Sequence, residues 1–337
     1  MALLWIDGFD TYGTSGDPSA HLLRKYLSVT GGAPATVAGR LGGYAIRCSS
    51  NFWFETPPLT TNATMIVGFA FKTDLQMSGT ILYLYDEDQP GINLRMRSDG
   101  ELQVYRYSTL LGTTSGKAVS LGTWYYIELK VVCNATTGSY ELRINGVNVL
   151  SASSVNTKNG THSYHTSVYL ANNLYSQPWY FDDYYICDGS GPANNDFLGS
   201  IKVTPIYPNG DTASKDFSRS AGVDNYALVD ENPSNGDTDY VESSVSGNTD
   251  LYDYQDPSVG TAIFGVQVNT DCRETDANHL SLKMPCKSGV TTDEGSAQLI
   301  GSASQVTLRR VLETDPNTGA AWTGAALNSA QFGIKVA

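Results

Sequence analysis

The chain has 337 residues and carries 34 acidic against 21 basic side chains, a formal charge of −13. Such a surface repels phosphate backbones and argues against nucleic-acid binding. No apolar run is long enough to cross a membrane as a helix, so no membrane insertion is expected. The length exceeds one ordinary domain, and abundant Gly and Tyr between β-branched runs give the composition of an all-β protein.

Strand signals begin at once, with Leu3 to Ile6. Ser19 to Val29 holds one helical candidate around Leu22, Leu23 and Tyr26. Thr64 to Lys72 is apolar on both faces, which predicts a central strand, and Thr80 to Tyr85 repeats that character. Leu94 to Arg97 and Glu101 to Val104 alternate around Asp99-Gly100, a strong short-range hairpin signal. From Trp124 to Leu150 the pattern predicts three antiparallel strands with one apolar face. The turns fall at Asn134 to Gly138 and at Asn145-Gly146. Tyr180 to Cys187 is the last strand of this half.

The Gly-, Pro- and Asn-rich run from Asp188 to Asn195 marks a boundary. An N-terminal domain over 1–195 and a β-rich C-terminal domain over 196–337 are expected. Beyond the boundary, strands are predicted at Ile201 to Tyr207, Ala262 to Val268, Leu280 to Met284, Val306 to Leu312 and Phe332 to Val336. The stretch Asn209 to Asp256 is too polar to build its own core. Its apolar islands, Tyr226 to Val229 and Leu251-Tyr252, are therefore expected to dock on a neighbouring copy through Tyr226, Leu228, Leu251 and Tyr252.

None of the five cysteines has metal-ligand spacing. Cys272 and Cys286 are left open as a disulfide pair. The opening Met1 to Asp10 lacks a basic segment followed by an apolar stretch, so no secretion signal is expected. No Ser or Cys nucleophile motif surrounds His21, His162, His165 or His279. No Lys-bearing phosphate loop follows Gly31-Gly32 or Gly42-Gly43. Asp86-Glu87-Asp88 is the nearest acidic cluster, but strand neighbours point to opposite faces, and no alternating carboxylate pair of the glycosidase kind is present. No catalytic residue is assigned, and the chain is read as non-enzymatic. Trp53, Tyr175 and Trp179 are the candidates for stacking on sugars.

Trp124 to Lys130 with Gly138 to Gly146, and Tyr180 to Cys187, resemble strands of the concanavalin A-like (laminin G-like) jelly roll. Together with Trp5 to Asp10 the resemblance spans roughly residues 1–195. It implies an antiparallel β-sandwich whose first and last strands are neighbours. It also implies a structural calcium where they meet, with Asp7, Asp10, Asp182 and Asp183 as oxygen donors. The order of Asn194 to Val203, Asn235 to Val241 and Glu313 to Trp322 is similar to structural proteins of tailed bacteriophages. That resemblance implies a virion exterior protein, a capsid decoration or a tail or neck component. Its partners would be other virion proteins and copies of itself. A receptor-recognition protein bound to host-surface glycan is the alternative, and a glycoside hydrolase is a third.

Overall fold

The structure, a computed structural model, describes residues 2–49, 51–87, 89–172, 178–257, 262–275 and 280–337. About 46% of residues lie in strands and 5% in helices, so the all-β expectation holds. The chain divides into two compact units, Met1–Val203 and Thr204–Ala337.

The first unit opens with β1 (Leu3–Asp7), α1 (Ser19–Lys25), β2 (Ser28–Thr30), β3 (Ala35–Ala38), β4 (Tyr44–Cys48) and β5 (Phe52–Glu55). It continues with β6 (Thr64–Thr73), β7 (Gly79–Asp86), β8 (Gln89–Met96), β9 (Leu102–Arg106) and β10 (Thr109–Thr113). It closes with β11 (Tyr125–Val132), β12 (Gly138–Ile144), β13 (Val147–Val155), β14 (Ser167–Asn172) and β15 (Trp179–Cys187). One sheet runs β13-β12-β11-β6-β15-β4-β3, with β1 on β15, and the other runs β10-β9-β8-β7-β14-β5-β2. All these pairings are antiparallel, and the architecture is the expected jelly-roll sandwich.

Strand β15 explains how the first strand reaches the last. It pairs with β6 along its length, but the register slips between Asp182 and Tyr185, where Asp183 adopts a φ of 48°. Before this bulge its other edge pairs with β4. After it, the same edge pairs with β1. At Asn145-Gly146 both residues take positive φ, 51° and 81°, as a two-residue turn between right-twisted strands requires.

The core lies between the sheets. Phe181 sits 6.2, 5.8 and 5.7 Å from the rings of Phe54, Phe69 and Phe71, all fully buried. The outer face of β6 is buried too, because the chain after β15 folds back over that sheet. Gly199 N donates to Glu128 Oε1 (2.8 Å), Leu198 N to the Tyr185 hydroxyl (3.1 Å) and Val203 N to Asp183 Oδ1 (2.8 Å). These bonds carry the unit past residue 195 to Val203.

In the second unit one sheet runs Pro208–Lys215, Thr249–Tyr254, Gln331–Val336, Ser281–Lys283 and Gln298–Leu299. Cys286–Ser288 also pairs with Gln331–Val336, and Val266–Cys272 forms a ribbon with Val306–Leu312. Residues 201–207, expected as a strand, are not in one. Pro205 and Pro208 withhold backbone donors there. The polar stretch Asn209 to Asp256 does build an interior. Fully buried Asp250 accepts from Phe217 N (2.9 Å), Asn225 Nδ2 (2.6 Å) and the Tyr252 hydroxyl (2.9 Å). Asp211 accepts from the backbone of Asn225 (3.0 Å) and Tyr226 (2.8 Å). Leu228, Leu251 and Tyr252 are consequently buried in their own fold, and Tyr226 is fixed on a short 3-10 turn beside them. They are not the free docking surface expected of them. Cys272 and Cys286 form no disulfide: Cys272 faces Val306, whereas Cys286 pairs with Asp293 and Phe332.

Candidate functional site

The four aspartates expected to hold calcium lie on β1, β15 and the turn between β1 and α1, but other groups use their oxygens. Asp7 accepts from Lys25 Nζ (2.9 Å), the hydroxyls of Tyr12 (2.5 Å) and Tyr26 (2.9 Å), and Phe9 N (2.9 Å). Lys25 is itself buried and lies 5.1 Å over the Trp5 ring, so an ammonium supplies the positive charge at Asp7. Asp10 accepts from Tyr44 N (2.6 Å), Asp182 from Arg40 N (2.7 Å), and Asp183 pairs with the Arg40 guanidinium (2.7 Å). Among the described residues no group of three or more His, Cys, Asp or Glu is arranged to hold a metal ion. The donor set therefore does not fit a calcium cage. Burial pushes the Asp10 carboxyl up to about 7, and the charges of Asp183 and Asp7 add to that rise. Burial and the neighbouring Asp183 raise Asp182 in the same way.

A different surface collects groups suited to a ligand. On the second sheet, alternation sends Phe54, Leu82, Leu84, Leu94, Val104, Val168 and Leu170 inward. The intervening residues of these strands form the outer face. Cross-strand register sets one row across it: Ser28, Glu55, Tyr169, Tyr83, Asn93, Tyr105. Six strands at ~4.8 Å spacing make this row roughly 24 Å long. Tyr83, Tyr85, Tyr105, Tyr169 and Trp53 are all half-buried, so their rings are fixed but accessible. The rings of Tyr85 and Tyr169 lie 4.2 Å apart, and Tyr83 is 6.1 Å from Tyr85.

Glu55 lies next to the Ser28 end of the row and is 7% exposed. Its Oε2 accepts from Ser28 Oγ (3.2 Å) and its Oε1 from Ser167 Oγ (3.1 Å). Burial raises the Tyr169 phenol well above its ordinary range, and a hydrogen bond to Glu55 adds to the rise. Burial also raises Tyr85, with the neighbouring Tyr83 and Glu55 contributing. Toward the other end, the Arg95 guanidinium stacks 4.1 Å over Tyr105.

Of the three residues expected to stack on sugar, Trp53 lies on this outer face, opposite Thr30 and Ala171. Tyr175 lies outside the described residues. Trp179 is fully buried, its ring 5.5 Å from Phe71, because it opens the central strand β15 rather than ending a loop. The tyrosines of β7, β9 and β14 were missed. Their signal is Leu82-Tyr83-Leu84-Tyr85, where Tyr alternates with Leu and marks the wet face of the strand. Where β7 ends, His162 Nδ1 lies 2.7 Å from buried Asp86 Oδ1 and its ring stacks on Tyr164 at 4.8 Å. His165 is fully buried nearby, and neither ring nitrogen has a hydrogen-bond partner among the described residues.

No protein-family model matches the chain, and no curated protein matches it. Solved structures do. An endo-β-1,4-glucuronan lyase from the fungus Trichoderma reesei is 13% identical over 53% of this chain and 95% of its own, with a TM-score of 0.40. An alginate lyase is 13% identical over 55% and 96%, with a TM-score of 0.41. A carbohydrate esterase from the Shiga toxin-encoding bacteriophage phi24B is 13% identical over 54% and 99%, with a TM-score of 0.35. The non-enzymatic expectation is corrected by these matches: polysaccharide lyases stand among the structures this chain is similar to.

Proposed function

We propose that the first unit binds a glycan chain laid across the strands of its second sheet. The tyrosine row supports this reading: rigid rings at strand spacing offer successive stacking platforms, and the half-buried Ser28 and Gln103 side chains beside them can exchange hydrogen bonds with hydroxyls. Glu55 favours a second reading in which the same face also cleaves what it holds, since a buried carboxylate bonded to the Tyr169 phenol is a proton-handling pair. The sequence resemblance supports a place on the exterior of a tailed-phage particle, among other virion proteins and further copies of this chain, with host-surface glycan as the ligand.

Affinity electrophoresis through gels containing a panel of polysaccharides tests the binding reading. Retardation by at least one polymer is expected, with Tyr83→Ala and Tyr169→Ala each weakening it tenfold or more, about 1.4 kcal/mol. Unretarded migration through every gel, or retardation untouched by both variants, removes it. For cleavage, release of new chain ends by the intact protein and its loss in Glu55→Gln is the expected pattern.

A further inference from the structure

We infer that the glycan read by this face is anionic, and that Arg95 is the residue that reads its charge. The inference rests on the glycan-binding reading and goes further, because it concerns one side chain whose surroundings leave its charge unanswered. The protein carries 34 acidic residues, yet among the described residues no carboxylate pairs with Arg95. Its neighbour on the same hairpin, Arg97, shows the contrast, pairing with both Asp99 (3.0 Å) and Glu101.

Neutral acceptors hold Arg95 instead. Nε donates to Asn93 Oδ1 (2.6 Å) and one terminal nitrogen to the Tyr107 carbonyl (3.1 Å). Asn93 is tied to that same carbonyl through Nδ2 (2.9 Å). The guanidinium plane rests on Tyr105, whose hydroxyl donates to Gln103 Oε1 (3.2 Å), and Gln103 in turn donates to Thr113 Oγ1 (3.0 Å). Two of the five N–H donors of a guanidinium are thus used for support, and three remain.

This arrangement fixes the fork without neutralising it, which is what bidentate recognition of a planar anion needs. Arg95 is two residues along β8 from Asn93, so it flanks the tyrosine row by ~7 Å. A sugar stacked on Tyr83 or Tyr105 would direct a carboxylate or sulfate substituent toward it. The net charge of −13 opposes indiscriminate attraction of polyanions, so binding must come from this local contact.

Matched polymers provide the test, at 0.15 M salt. Alginate and polygalacturonate are compared with their carboxyl-reduced forms, and dextran sulfate with dextran, by affinity electrophoresis and calorimetry. The intact protein is expected to bind at least one charged member tenfold or more tighter than its neutral counterpart. Arg95→Met should abolish that preference, and Arg95→Lys should retain only part of it. Circular dichroism establishes that both variants are folded. A preference only for dextran sulfate supports the inference with sulfate as the anion. Equal binding of charged and reduced polymers overturns it and leaves the glycan reading standing, as does a preference that survives in Arg95→Met. If no polymer binds, charged or neutral, the glycan reading fails and this inference with it.

Discussion

The two units hold β-strands together by different means. In the first, two sheets of eight and seven strands enclose one continuous aromatic core, with the Phe181 ring against those of Phe54, Phe69 and Phe71. In the second, apolar residues fall into small separate groups, Phe332 and Trp322 in one and Phe217, Leu282 and Val336 in another. Between them the buried carboxylate of Asp250 gathers three donors from separate parts of the chain. Apolar burial is non-directional and tolerates some change of shape. A buried hydrogen-bond network depends on every member, since an orphaned partner keeps its full desolvation cost.

The comparison can be broken most forcefully at Phe181. Phe181→Ala is expected to cost the first unit about 3–5 kcal/mol, read as faster hydrogen exchange throughout β6, β11 and β15. Exchange confined to a few neighbouring amides would show that the core is not one cooperative body. Asp250→Ala comes next. It strands Asn225, Tyr252 and the Phe217 amide, and should destabilise the second unit by about 3 kcal/mol. If its denaturation midpoint barely moves, the network does not hold the unit in the way described.

The third prediction concerns acid. Burial pushes the His165 imidazole down to about 4, so the fold favours its neutral form. Stability from this residue is complete above the unfolded value of 6.5 and is lost as pH falls from there through about 4, by up to about 3 kcal/mol. Between pH 6.5 and 4, His165→Leu should flatten the fall in melting temperature relative to the intact chain. Parallel profiles would refute the assignment. Asp10 has the opposite sign. Its carboxyl is raised to about 7, so its contribution is full below 3.8 and is lost as pH rises through 7. Asp10→Asn, which keeps an acceptor for Tyr44 N, should therefore gain on the intact chain above pH 7. The smallest effect is expected at Gly146, where φ is 81° and no atom lies within 4 Å of an added Cβ. Gly146→Ala should cost about 1 kcal/mol through backbone strain alone.

How far the sequence could be read follows from the same contrast. The β11–β12–β13 meander was legible because Ile127, Leu129, Leu142 and Ile144 alternate with charged residues around turns of distinct chemistry. The neighbouring first and last strands were legible from the resemblance and are seen in the Leu3–Cys187 register. The interior of the second unit was not, because Asp211, Asn225 and Asp250 look in sequence like loop residues, and only their convergence makes them structural. Asp7 misled for a related reason: the cation that meets it is Lys25, eighteen residues on. Of the candidate face only Trp53 was marked. Tyr83 and Tyr85 fall in a run, Thr80 to Tyr85, that reads as apolar on both faces, which masks their alternation with Leu82 and Leu84.

The chain that folds back after β15 also determines how the first unit would carry mechanical load. Asp188 N donates to the Ala2 carbonyl (2.9 Å), so a tether attached at these two points would peel β1 from β15 one bond at a time. Val203, however, is anchored to Asp183 and lies beside Gly8, at the opposite end of β1. Tension entering at Ala2 and leaving at Val203 would therefore pull along the strand, loading the paired residues from Leu3 to Asp7 together. The fifteen residues from Gly189 to Val203 turn a zipper into a shear joint.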